Sequence, residues 1–420
     1  MKVELAYGSG RLEVELPDDR TTVVAPLHPP PAADADADVR EALRSPVAGP
    51  PLRELVRSGQ TVAISICDGT RAQPRRIVVP AVLEQLEGVV RLEDVVILVA
   101  TGTHRGNTRE ELAAMLGEDV LDTVRVVNHD ARDDSSLAWV GRLGNDVPVW
   151  LNREWVDADL RITTGFVEPH FFAGFSGGPK MVAPGLAGLE TTLTLHDAAR
   201  IGHPSARFGI TEGNPIHDDV RAIAAATGVD FALDVVIDAE QRVVQAFGGE
   251  LFAMHADACE TARRVAMLPL PERFDVVVTS NSGYPLDQNL YQAVKGMSAA
   301  AQVVKAGGTI VCAAECRDGF PEHGSFKQEL VGASSPAALL EEILQREKTV
   351  PDQWEAQIQA SVQSYARVVM HTSFLTDQEL AAAHLEQTDD IARTVEDALG
   401  NTDGDICVLP EGPQTIPYVT

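Results

Sequence analysis

The stretch VAISICDGTRAQPRRIVVPAVLEQLEGVVRLEDVVILVATGTHR, residues 62–105, decides the fold class. Two runs of aliphatic and β-branched residues, 62–67 and 95–100, flank a segment of helical period at 80–88. A run that is apolar at nearly every position has no side to show to water, so it belongs in a sheet covered on both faces. Strand, helix and strand in that order describe a parallel crossover unit. The pattern continues outward through VRVV (124–127), LRITTG (160–165), FALDVVI (231–237), DVVVTS (275–280), TIVCAA (309–314), YARVVM (365–370) and ICVLP (406–410). The reading is α/β: two α/β domains with mostly parallel sheets, linked by helices. The first is expected over 1–270, opening with a hairpin in residues 1–25 and a Pro-rich, acidic loop at 26–38. The second is expected over 271–385, after the break LPLPERF. A linking helix would span 386–404, and a last strand in 405–420 would return to the first domain.

Ligands of doubly wound sheets sit beyond the carboxyl ends of the strands, and here those ends carry reactive residues. VAISIC runs into Asp68-Gly-Thr70-Arg71, VVILVA into Thr101-Gly-Thr-His104-Arg105, VRVV into Asn128-His129-Asp130, and LRITTG leads to Glu168-Pro-His170. Arg71 reads as a fork for a carboxylate or as a helix-capping arginine. Asp68 orients a ring nitrogen or hydroxyl, or caps the following helix. His104 and His170 lie on different loops, so they could work on opposite faces of one substrate carbon. His129 reads as a turn residue. Within GFVEPHFFAGFSGGPKMVAPGLAG (165–188), the glycines Gly177 and Gly178 free backbone N–H groups for an anion, and Lys180 is placed to hold a phosphate or form a covalent bond. His196 follows on a helical segment. Further on, YQAVKGM puts Tyr291, Gln292 and Lys295 on the first turns of a helix, with Tyr291 and Lys295 on one face.

Composition narrows the partners. The 62 acidic residues against 34 basic give a net charge of −28, which argues against nucleic acid and anionic membrane. No run reaches the roughly 18 apolar residues that span a bilayer. Five scattered cysteines give no disulfide framework, so a reducing cytoplasm is expected, and Cys312 and Cys316 read as buried small hydrophobes. HExxH, paired CxxC, GxGxxG and GxxxxGK[ST] patterns are all missing.

Taken together in this order, DGTR at 68–71, TGTHR at 101–105, EPHFFAGFSGGPK at 168–180, His196 and the Tyr291-Gln292…Lys295 set resemble the nickel-pincer lactate racemase family, over most of the chain. The resemblance implies an isomerase that inverts C2 of a 2-hydroxycarboxylic acid, lactate or a relative such as malate, in a cleft between the two domains. It implies a nickel-pincer nucleotide, a pyridinium-3,5-bisthiocarboxylic acid mononucleotide that holds nickel and is made by separate biosynthesis enzymes. Carried over by position, Lys180 would be the covalent tether and His196 the protein's nickel ligand. Asp68, Thr70, Gly177, Gly178 and Trp354 would lie near the cofactor. His104 and His170 would be the acid/base pair, and Arg71, Tyr291, Gln292 and Lys295 would bind substrate. A dicarboxylate would need a further cation, with Arg75, Arg76 and Arg105 the nearest. The competing readings are a metal-dependent hydrolase using His104, His170 and His196 as ligands, and a non-catalytic hydroxyacid- or cofactor-binding protein. An oligomer is compatible with all of them.

Overall fold

The computed structural model describes residues 1–27, 29–322, 324–400 and 403–420. His28 of the Pro-rich loop, His323 of the second domain, and Asn401 and Thr402 of the segment read as a linking helix lie outside the described residues. The chain forms two compact units, one of residues 28–196 and 203–265, the other of residues 1–27, 197–202 and 266–420.

The unit of residues 28–196 and 203–265 is built on a six-stranded sheet. Its spatial order is Val243–Gly249, Phe231–Ile237, Leu160–Phe166, Val62–Cys67, Val95–Ala100 and Arg125–Asn128. Every pairing is parallel except the outermost, Val243–Gly249 against Phe231–Ile237. The central strand Val62–Cys67 is buried along its whole length. Its Ile64 and Ile66 join Val78, Val82 and Leu86 of the helix Arg75–Leu86 in one core. Each such side chain taken from water contributes about 1.5–3 kcal/mol. Helix ends are closed locally. Thr108 and Glu111 form a reciprocal capping box at the start of Arg109–Leu116.

The other unit has its own six-stranded sheet, ordered Glu386–Gln387, Arg367–His371, Val304–Ala313, Phe274–Ser280, Ile406–Leu409 and Thr21–Val23. All five of its pairings are parallel. The α/β class and the largely parallel sheets are as the apolar runs predict.

The boundaries differ from the sequence reading in three ways. Residues 1–27 belong with the C-terminal part of the chain, not with an N-terminal domain of 1–270. Thr21–Val23 pairs beside Ile406–Leu409, and the hairpin Lys2–Tyr7/Gly10–Glu15 contributes Val3, Leu5 and Val14 to the core of that sheet. The strand expected in 405–420 does not return to the first domain, because Ile406–Leu409 pairs with Phe274–Ser280. The segment 386–404 is no linker: its helix Ile391–Leu399 buries Ile391, Val395 and Leu399 in the same core as Val276, Val311 and Val408. An amphipathic helix beside a parallel sheet is most stable as that sheet's cover. The strand Val243–Gly249 was not read from the sequence, where 239–272 shows as helical segments.

All five cysteines are buried and free. Burial pushes the Cys312 and Cys316 thiols up, which keeps them neutral and inert, as small hydrophobes.

Candidate active site

Asp68 stands at the end of Val62–Cys67 and is almost fully buried. Its Oδ1 accepts hydrogen bonds from the Thr70 N–H at 3.1 Å and the Thr70 hydroxyl at 2.7 Å. Its Oδ2 lies 2.7 Å from His104 Nδ1. Burial raises the Asp68 pKa, but His104, Thr70 and Arg71 together outweigh it and hold the carboxyl below its ordinary value. A carboxylate has no proton to give, so His104 Nδ1 is the donor and Nε2 is the outward nitrogen. The His104 side chain is 48% exposed, which leaves that nitrogen within reach of a ligand.

Arg71 is half-buried, and its guanidinium makes no hydrogen bond among the described residues. It lines a cleft with Gly69, Gln73, Pro74 and Met115. The neighbouring arginines are committed elsewhere. Arg75 binds the carbonyls of Cys67 at 2.8 Å and Arg71 at 2.8 Å, with Asp68 and Gln73 also held. Arg76 binds the carbonyls of Ala113 and Ala114 at the end of a helix. Arg105 forks onto Glu111 at 2.6 and 2.8 Å.

Phe172 gathers three of the expected site residues. Its ring centroid lies 4.5 Å from that of His170 and 5.2 Å from that of His196, edge-on in both cases, and 5.8 Å from Lys180 Nζ. Buried Asn214 fixes the backbone there by donating to the Phe172 carbonyl at 2.9 Å. His170 ends a two-residue strand, and its Nδ1 accepts the Ala173 N–H at 3.3 Å. His196 caps the helix Leu189–Leu195, and its Nδ1 gives its proton to the Thr192 carbonyl at 2.7 Å. A backbone carbonyl on Nδ1 fixes the ring orientation and the tautomer, as it does for metal-binding imidazoles.

Lys180 sits on a short 3-10 turn, Gly178–Met181, entered through Gly177 at φ 69° and Gly178 at φ 50°. Only glycine adopts two such angles in succession without strain. The two strand-end loops meet just beyond: the Gly185 N–H binds the Lys180 carbonyl at 3.1 Å, and the Gly185 carbonyl accepts from Gly102 at 3.0 Å. The His104 loop and the Lys180 turn are thus parts of one structure. His129 is buried away from it, bonded to the Ala187 carbonyl at 2.9 Å, and burial pushes its pKa down.

In the other unit, Asn289 caps the helix Leu290–Ala301 by accepting the Gln292 N–H at 3.0 Å. Lys295 Nζ donates to Gln292 Oε1 at 2.7 Å, and the Tyr291 ring packs edge-on against Phe326. Trp354 and Glu355 begin the helix Gln353–Tyr365. Burial pushes the Glu355 carboxyl up, while the Lys295 charge pulls it back. Sequence reasoning did not pick out Phe172, Asp234, His255 or Glu355. The last three carry a signal in hindsight: polar residues inside otherwise apolar strand or helix faces.

Among the described residues, no three His, Cys, Asp or Glu side chains are grouped to hold a metal ion. His104, His170 and His196 therefore do not form the three-ligand centre of a hydrolase.

Residues 7–209 match the model of the lactate racemase N-terminal domain, and residues 271–416 match that of the C-terminal domain. The chain belongs to the lactate racemase family. It is 36% identical to the lactate racemase of Thermoanaerobacterium thermosaccharolyticum over 99% of this chain and 98% of that protein. It is 37% identical to the lactate racemase of Lactiplantibacillus plantarum over 86% of this chain and 84% of that one. The solved structure of the lactate racemase apoprotein from T. thermosaccharolyticum superposes with a TM-score of 0.93 at 35% identity, covering 99% of this chain and 100% of that one. A Thermotoga maritima protein, 20% identical and covering 92% of this chain and 98% of its own, shares the fold with a TM-score of 0.68. Membership of the lactate racemase family makes the protein an isomerase of the racemase class.

Proposed function

We propose that the protein racemises a 2-hydroxymonocarboxylate, lactate first among them, with a nickel-pincer nucleotide tethered at Lys180. The carrying observation is the grouping of His170, Lys180 and His196 around Phe172. The residues fit the group: an amine on a glycine turn for the tether, and one imidazole, oriented through Nδ1 by the Thr192 carbonyl, for the metal. A single protein ligand suits a metal that arrives already held by its own organic frame. Thr70 and Trp354 are proposed to line the nucleotide and the Gly177–Gly178 turn to carry its tether, although the Gly178 N–H is not free for an anion, because it donates to Asp234 Oδ2 at 2.6 Å.

The α-hydrogen of a hydroxyacid is a poor acid, because its carboxylate is already charged. Bound at Lys180, the pincer supplies a reversible hydride acceptor, which avoids that carbanion. The protein's own groups do the rest. Arg71, with its guanidinium unbonded, takes the substrate carboxylate in a fork. Lys295, Gln292 and Tyr291 are proposed as further substrate contacts. The bare Nε2 of His104 accepts the hydroxyl proton, while Asp68 steadies the imidazolium that results. His170 performs the matching transfer for the opposite face. Arg75, Arg76 and Arg105 are occupied by carbonyls and Glu111, so none of these three is placed to take a second carboxylate.

Protein co-expressed with cofactor-making enzymes should carry an added mass on Lys180 and near-stoichiometric nickel, and should racemise lactate by polarimetry. A nickel-free protein without adduct, made beside an active control racemase, would overturn the reading. Lys180→Ala should lose the adduct and keep the fold.

A further inference from the structure

The turn that carries Lys180 rests on two buried titratable side chains that the proposed chemistry does not use. Asp234 lies in the middle of the strand Phe231–Ile237 and is wholly buried. Its Oδ2 accepts the Gly178 N–H at 2.6 Å. The strand register sets it opposite Gly165, and the carboxylate presses so close to the glycines that a Cβ on Gly165 would lie 2.8 Å from Oδ1, and one on Gly177 2.6 Å from Oδ2. From the helix Leu251–Ala266, His255 Nε2 donates to the Ser176 carbonyl at 2.9 Å. Its ring fills the space beside Gly178, where a Cβ would meet it at 2.4 Å.

A carboxylate in the interior of a sheet is costly, and the fold does not need one, since Val or Leu would fill the volume with better burial. The Asp234 carboxyl is pushed up to about 7 by that burial, with the Gly178 and Gly165 N–H groups pulling it down. What it obtains in return is a grip on one backbone N–H, two residues before Lys180. We propose that Asp234 is a positioning residue, which accepts the Gly178 N–H and so holds the 176–180 turn in the one shape that aims the Lys180 side chain. The proposal rests on the reading of Lys180 as the tether, and it assigns Asp234 no contact with substrate or cofactor.

The test uses the full-length protein without cofactor. Asp234→Asn keeps the side-chain shape but removes the charge, and Asp234→Val removes the acceptor from an apolar setting. Both variants should melt at pH 8 no lower than the wild type, because each removes a buried charge. Asp234→Asn keeps an amide oxygen that can accept the Gly178 N–H, so its exchange there should stay near wild type; in Asp234→Val the Gly178 amide should exchange with deuterium about tenfold faster, the change expected from losing one hydrogen bond. Labelling of Lys180 by trinitrobenzenesulfonate, mapped by peptide mass spectrometry, should change at least about threefold, while exposed Lys305 in the same sample stays constant. Unchanged exchange at Gly178 in Asp234→Val would overturn the proposal. So would a lowered melting temperature with faster exchange throughout the sheet, which marks a general structural role. A wild type that never acquires the Lys180 adduct when co-expressed would sink the tether reading alone and leave the exchange result standing.

Discussion

With Nδ1 of His104 on the Asp68 carboxylate, the ring keeps its proton there and turns a bare Nε2 outward. The tautomer, not only the position, is therefore specified by a neighbour. Asp68→Asn should let an amide N–H face Nδ1 and move the ring proton to Nε2. The expected loss in kcat is about a hundredfold, with KM little changed, as for removal of one acid/base group. A variant with wild-type kcat would show that the hydrogen bond does not set the base. His104→Ala and His170→Ala should each abolish turnover while leaving the mass at Lys180 in place. For Arg71, the loss should appear in KM instead. Arg71→Ala removes a carboxylate fork worth about 1.5–3 kcal/mol, so KM for lactate should rise by roughly ten- to a hundredfold.

At the scale of the element, the Lys180 turn tolerates little change of its glycines. Gly178→Ala combines a positive φ with a Cβ driven into the His255 ring. The cost should be about 3 kcal/mol or more, measured as a lowered denaturation midpoint. Gly228→Ala, which also has a positive φ but faces open space, should cost only the strain of its backbone, about 1–3 kcal/mol. The sequence shows this turn and the strand-end loops clearly, because glycine pairs and abrupt ends of apolar runs are local signals. Asp234 hides in FALDVVI, where it passes for an irregularity in a core strand. Phe172 hides in a pair of phenylalanines, since nothing local says that one ring will meet two histidines and a lysine. The pairing of Thr21–Val23 with Ile406–Leu409 has no local signature at all, and the wrong domain boundary follows from that. The edge strand Val243–Gly249 was missed because Gly248 and Gly249 weaken its β pattern, although they allow the close approach of Ala42 and Ala48.

At the scale of the molecule, the buried titratable groups oppose one another across the pH range. His217 and His255 stack with centroids 5.8 Å apart. Burial, then the neighbouring positive groups, push His217 down to about 3, and burial chiefly pushes His255 down to about 4. In the unfolded chain both would titrate near 6.5, so the unfolded state takes up protons that the native state refuses. Stability is fully present above pH 6.5 and is lost as pH falls toward 4, by on the order of 3 kcal/mol for His255 alone. Asp234 acts in the opposite sense: its raised pKa means that stability declines as pH rises from 3.8 to about 7. His255→Gln keeps a donor for the Ser176 carbonyl and should flatten the fall of melting temperature between pH 6.5 and 4.5. An unchanged acid slope would place the sensitivity elsewhere. Among the described residues, no helix is long and apolar enough to cross a membrane.

Among the described residues, the strand Thr21–Val23 has its only ladder partner in Ile406–Leu409, far later in the sequence. During synthesis, the first of these segments leaves the ribosome long before the second. The unit of residues 28–196 and 203–265 has all its strands in hand long before that. It can close around the Lys180 turn while Thr21–Val23 still waits for the strand that completes its sheet. A polypeptide cut short before residue 406 would carry a finished Lys180 unit together with a strand, Thr21–Val23, that has lost its ladder partner, a state that quality-control proteases are suited to remove.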